Sequence, residues 1–150
     1  MPSPERICRE RWPRRWRQWG DPDVRVRAAA GVVLAGSEDV GAVADRLDAL
    51  LLDPENTFVT SETALALVAR DDAERIRLIA SALVRADEDT ANWLVDAVTC
   101  GHSDAEWRLT VSVLATLVED DDPDTAAGAA RLAAQMPGAE ATGGSPGSTS

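Results

Sequence analysis

The chain has 150 residues, with 15 Arg and no Lys against 26 Asp plus Glu, for a formal net charge of −11. A body this acidic repels phosphate backbones, which argues against nucleic-acid binding. The longest apolar or glycine run, Ala28–Gly36, has nine residues where a bilayer span needs roughly 18, and two cysteines outside any CxxC pair build no disulfide framework.

The charge is uneven. Residues 1–27 carry eight Arg against Glu5, Glu10, Asp21 and Asp23, a local excess of +4 that leaves −15 for the remainder. Within this segment Cys8, Trp12, Trp16 and Trp19 are spaced 4, 4 and 3, a helical stripe. Pro13 breaks that stripe or starts a helix. Residues 1–19 read as an Arg/Trp-rich cap helix covering the first edge of the domain. The alternative is that Trp12, Arg14, Arg15, Trp16 and Trp19 dock on an anionic partner, a membrane surface or the chain's own acidic body. After Arg14-Arg15 comes Trp-Arg-Gln-Trp-Gly-Asp rather than an apolar run, so no export leader is expected and the chain is read as cytoplasmic.

One pattern then recurs down the chain: Asp21-Pro22-Asp23, Asp53-Pro54-Glu55, Asp87-Glu88-Asp89 and Asp122-Pro123-Asp124, with centres 32, 34 and 35 residues apart. A period in that range is the signature of stacked helix pairs. Asp is a good N-cap and Pro suits the next position. Each pattern is therefore expected to start a helix, over 22–35, 54–69, 89–99 and 123–135. Longer amphipathic segments lie between them. Glu38–Leu52 places Val40, Val43, Leu47, Leu50 and Leu51 on one face. Asp72–Ala86 does so with Ala73, Ile76, Ile79, Ala80, Leu83 and Val84. Ser103–Glu119 repeats it with Trp107, Val111, Leu114, Leu117 and Val118, and opens on the capping box Ser103-Asp104-Ala105-Glu106. Gly36 and Gly101 stand where the second helix of a pair should stop. From Pro137 onward nothing can bury enough apolar area to offset its own ordering, so 137–150 is expected to be a disordered Gly/Ser/Pro tail after a domain spanning 20–136.

Asp21-Pro22-Asp23-Val24-Arg25-Val26-Arg27-Ala28-Ala29-Ala30 resembles the Asp-Pro…Val-Arg…Ala core of HEAT repeats, an armadillo-like helical family. Leu51–Leu67 is a second match, with Thr60 where the family usually has Arg. The third unit has Glu88 for Pro and Trp93-Leu94-Val95 for Val-Arg, and the fourth keeps little beyond Asp122-Pro123. The resemblance implies an all-α fold, a short right-handed α-solenoid of about four HEAT-like helix pairs. Its concave face would come from the second helices, near 24–35, 57–69, 90–99 and 124–135. It also implies a ladder between repeats made by turn Asp and helix Arg, to which Asp21, Arg27 and Asp53 map, with Thr60 breaking it.

Candidate chemistry is sparse. His102 is the only His, and one His with two distant Cys falls short of a zinc site or a triad. Asp120–Asp124 has alternating Asp like a calcium loop, but Thr125 and Arg131 stand where Gly and Glu are required. Cys8 and Cys100 are expected to be small buried apolar residues, and Trp107 to be core. No cofactor and no metal are expected. Such solenoids scaffold many unrelated tasks. The expected function is non-enzymatic protein binding, an adaptor or regulatory scaffold. Its candidate contacts are Glu62, Asn92, Trp93 and Asp96, with Trp93 a binding anchor if it is exposed and core if it is not. An immunity or inhibitor protein that neutralises a basic partner fits the acidic charge. A HEAT-like enzyme and membrane-surface recruitment through residues 5–19 are the weaker alternatives. Oligomeric state is not legible.

Overall fold

The computed structural model describes residues 21–70, 72–100 and 103–136. The Arg/Trp segment 1–19, Cys8, Gly101, His102 and the tail 137–150 lie outside the described residues. Seven α-helices and no strand occur among the described residues: α1 Val24–Ala35, α2 Ala44–Leu51, α3 Thr57–Val68, α4 Ala73–Arg85, α5 Glu88–Thr99, α6 Asp104–Leu117 and α7 Pro123–Ala134. The fold class is all-α. The expected long helix over 38–52 is instead a 3-10 turn, Val40–Val43, running into α2. Its apolar face is as expected, with Val40, Val43, Leu47, Leu50 and Leu51 all buried.

The turn patterns do start helices, though not always through the first Asp. Asp87 and Asp122 cap α5 and α7, accepting from the amides of Thr90 and Thr125. For α1 and α3 the caps are Asp23 and Asn56, two and three residues further on. Asp21 and Asp53 close local turns instead. The Asp21 carboxylate accepts from the Asp23 amide at 2.8 Å, and that of Asp53 from the Glu55 and Asn56 amides at 3.0 Å. A later Asp or Asn leaves the first carboxylate free for such a turn. The Ser103–Glu106 capping box forms as read, and Gly36 is the C-cap of α1.

Helices α1, α3 and α5 lie side by side, α1 against α3 and α3 against α5. Helix α2 packs on α3 and α4, and α4 packs on α5. The apolar faces of all seven helices join one continuous core, from Ala28 to Met136. Buried positions keep register between neighbours. Arg27, Ala30, Gly31, Leu34 and Ala35 of α1 correspond, 33 residues on, to Thr60, Thr63, Ala64, Leu67 and Val68 of α3. Thr60, Thr63 and Leu67 correspond, 31 residues on, to Ala91, Leu94 and Val98 of α5.

The last helix departs from the expected order. A fourth concave helix over 124–135 would lie beside α5; α7 packs chiefly against α4, and next against α6. The reason is steric. Gly128 lies so close to the Ala80 carbonyl that a β-carbon at that position would overlap it. The surrounding Ala residues of α7 keep the rest of the approach open, so this small-residue helix seats its backbone close against α4.

Candidate functional site

Two arginines hold the first helices in place. Arg27 is buried, and its Nε donates to Asp53 Oδ2 at 2.8 Å while Nη2 reaches Oδ1 at 3.3 Å. Nη1 donates to the carbonyls of Asp21 at 2.9 Å and Pro22 at 3.0 Å, and Nη2 also meets Glu55 at 3.3 Å. The bond to Asp53 raises the Arg27 pKa above its ordinary value, against the opposing pull of burial. The residues that resemble the repeat ladder thus meet, with the Asp21 backbone rather than its carboxylate taking part. One unit on, Thr60 occupies the place of Arg27. Its hydroxyl and that of Thr63 are buried without a hydrogen-bond partner among the described residues. Sequence reasoning assigned no role to Arg75. It is buried on α4 and donates to the Ala35 carbonyl at 2.7 Å and to that of Ser37, closing the C-terminal end of α1. Basic groups are favourable there because the helix end carries partial negative charge.

A cleft of about 500 Å³ opens beside this tie, between the Asp21-Pro22 turn, the Asp53–Glu55 turn and Ala49–Leu50. Of its charged groups, Arg27 and Asp53 are bonded to each other, Glu55 also meets Arg27, and the Asp21 carboxylate accepts from the Asp23 amide. On the far side Arg85 ties α4 to Asp48 of α2 at 2.7 Å, and Arg77 ties it to Asp120 at 3.0 Å. No cluster able to hold a metal occurs among the described residues.

The surface that stands out is the open face of α1, α3 and α5. On α1 the positions turned away from the core are Arg25, Ala29 and Val32; on α3 they are Phe58, Glu62 and Leu65; on α5 they are Asp89, Trp93 and Asp96. Each set is spaced i, i+4, i+7, one side of a helix. The offsets between sets are the same 33 and 31 residues as those of the buried positions, so the rows align across the three helices. Four large apolar side chains stand on them: Val32 is 45% exposed, Phe58 48%, Leu65 46% and Trp93 45%. Single exposed apolar residues are ordinary, but a contiguous set rimmed by polar groups marks an interaction site.

Of the sequence-predicted contacts, Trp93, Asn92 and Asp96 are exposed on α5 and Glu62 is half-buried on α3. The structure brings Glu62, Trp93 and Asp96 onto one face, with Asn92 on its outer margin. Trp93 is not core. Cys100 is a correction: expected buried, it is exposed, because it follows the last turn of α5 on the open side. Trp107 packs half-buried against the core. Val32, Phe58 and Leu65 were missed. Their signal is weak, since apolar residues fall on more than one side of α1 and α3, interspersed with Arg25 and Glu62, and no single apolar stripe separates core from surface. Trp12, Arg14, Arg15, Trp16 and Trp19 lie outside the described residues. No helix among the described residues is long and apolar enough to cross a membrane.

Compared with protein-family models, with curated proteins and with solved structures, the chain matches none.

Proposed function

We propose that this chain is a non-enzymatic protein-binding module, an adaptor or regulatory scaffold, built as a short right-handed HEAT-like array whose open face is formed by α1, α3 and α5. One observation carries the reading: Val32, Phe58, Leu65 and Trp93 stand half-exposed on aligned rows of three adjacent helices. Aligned rows let one partner touch several units at once. The constant register and the Arg27–Asp53 tie between successive units support the HEAT-like arrangement. The array has three open-face helices rather than four, since α7 packs on α4. A second reading sharpens the first. Glu62, Asp89 and Asp96 flank the apolar rows with Arg25 as the single base among these positions. That balance favours a basic partner, as an inhibitor or immunity protein in the cytoplasm would have.

The test is alanine substitution on the full chain against a partner captured from the native cell. Trp93→Ala is expected to weaken binding by about 2 kcal/mol, some 30-fold. Asp96→Ala and Glu62→Ala should instead slow association and reduce its salt dependence. Because Trp93 is half-exposed, its removal should cost only about 1 kcal/mol of stability, against roughly 3–5 for a buried aromatic. A folded Trp93→Ala chain that binds its partner normally removes the open face as the binding site.

A further inference from the structure

The open face has a candidate occupant within the same chain. We infer that residues 5–19 dock across α1, α3 and α5 as a tethered ligand, occupying the face that the proposed function assigns to an external partner; the inference rests on that assignment of the face.

Three observations lead there. The first is charge. Residues 1–19 hold six Arg against Glu5 and Glu10, the densest basic stretch of a chain whose net charge is −11. The face opposite carries Glu62, Asp89 and Asp96 against the single base Arg25, and stays net acidic. A second copy of the same acidic face would repel it, so charge selects a basic occupant over self-association. The second is the apolar match. Three of the five Trp of the chain, Trp12, Trp16 and Trp19, fall in this segment. Four large side chains stand half-exposed on the face with no described residue covering them. Aromatic anchors with an Arg rim are the composition that buries well in such a surface.

Reach is the third. The described chain begins at Asp21, in the turn before α1, at the edge of the face where Arg25, Phe58 and Asp89 form the first row. Two interhelical steps of 8–10 Å separate α1 from α5, about 20 Å in all. Fifteen residues cover about 22 Å as a helix and more when extended. A ligand on so short a tether meets its site at an effective concentration in the millimolar range. Even a weak contact would therefore hold, and an external partner would have to displace it.

The chain carries its own probes. Cys8 lies in the segment and Cys100 is exposed at the end of α5, on the open side. Spin labels on these two cysteines of the full chain report the distance from the segment to the third helix. Docking predicts a defined short-distance population. In Asp96→Arg, in Trp93→Ala, and at about 1 M salt, where the screening length is near 3 Å, that population should move outward by a helix spacing, about 10 Å, or more. Asp96 is exposed, so its reversal leaves the core intact if Trp93→Ala does not. Excess synthetic peptide of residues 5–19 should compete the short population away. A distance unchanged by both substitutions and by salt overturns the docking and assigns the segment to the outer edge of α1 as a cap. The two readings fail separately. Partner binding that needs Trp93 but is unaffected by deleting residues 1–19 sinks the tethered ligand alone. A salt-sensitive short distance with no Trp93-dependent partner sinks the adaptor reading alone.

Discussion

Asp53→Ala should be the most informative single stability change. The Asp53 side chain is 5% exposed and that of Arg27 8%. Breaking a buried pair leaves a charge without its partner, which costs roughly 3–5 kcal/mol. Here the guanidinium keeps the Asp21 and Pro22 carbonyls and the exposed Glu55 carboxylate. The expected loss is therefore at the lower end, about 3 kcal/mol. Part of it comes from the Glu55 and Asn56 amides, which lose their acceptor. Asp53→Asn retains that acceptor without the charge and should cost about half as much. For a domain of this size about 3 kcal/mol corresponds to a fall in Tm of roughly 10 °C. Urea unfolding of Asp53→Ala, of Arg27→Met, and of the double variant closes a cycle. The double variant should lose less than the two singles together, by about 1 kcal/mol or more. A single-variant loss under about 1 kcal/mol, or additive losses, would refute the idea that this pair ties α1 to the next turn.

Other expectations concern the joints between helices. Thr60→Val removes a buried hydroxyl without a partner at nearly constant volume, and should raise stability by about 1 kcal/mol in the same urea assay; a loss would mean that the hydroxyl is satisfied. Gly128→Ala forces a β-carbon into the Ala80 carbonyl and should cost about 3 kcal/mol, whereas Gly41→Ala, at an exposed position, should change stability by about 0.5 kcal/mol or less. Similar melting of the two variants would mean that α7 does not lie backbone-to-backbone on α4. The side-chain and backbone bonds from Thr125 hold the Asp122 carboxyl below its ordinary value of 3.8, and those from Thr90 do the same for Asp87. A depressed folded pKa contributes stability that is present above the unfolded value and is lost as pH falls through the folded one. Tm should therefore drop below about pH 4, and Asp122→Asn, a neutral cap, should show a shallower drop than the natural chain. Parallel Tm profiles from pH 7 to about 2.5 would assign the acid loss to other carboxylates.

Helix number, helix faces and turn positions were legible in the sequence because they are local. Asp-Pro turns, a capping box and 3.6-residue apolar spacing act within a few residues, and the described helices start within about three residues of the expected positions, except α2, which a 3-10 turn delays to Ala44. The Asp53 partner of Arg27 was legible only through a resemblance, and Arg75 on the end of α1 not at all. A bond between residues 40 apart leaves no trace in spacing. The fate of the last helix was likewise invisible. Its small residues permit close packing against any neighbour, and only the backbone fit of Gly128 on Ala80 selects α4. The open face shows the same division. Trp93 and Asp96 were candidates from their positions, but whether Trp93 faced core or solvent depended on where α7 went and on which side α3 already covered. Val32, Phe58 and Leu65 were hidden because apolar residues on more than one side of a helix leave its exposed side unmarked. Each open-face helix is covered by its neighbours on the sides facing them, and the remaining side keeps apolar groups in water. That exposure is a property of how many helices surround each position, which only the tertiary packing decides.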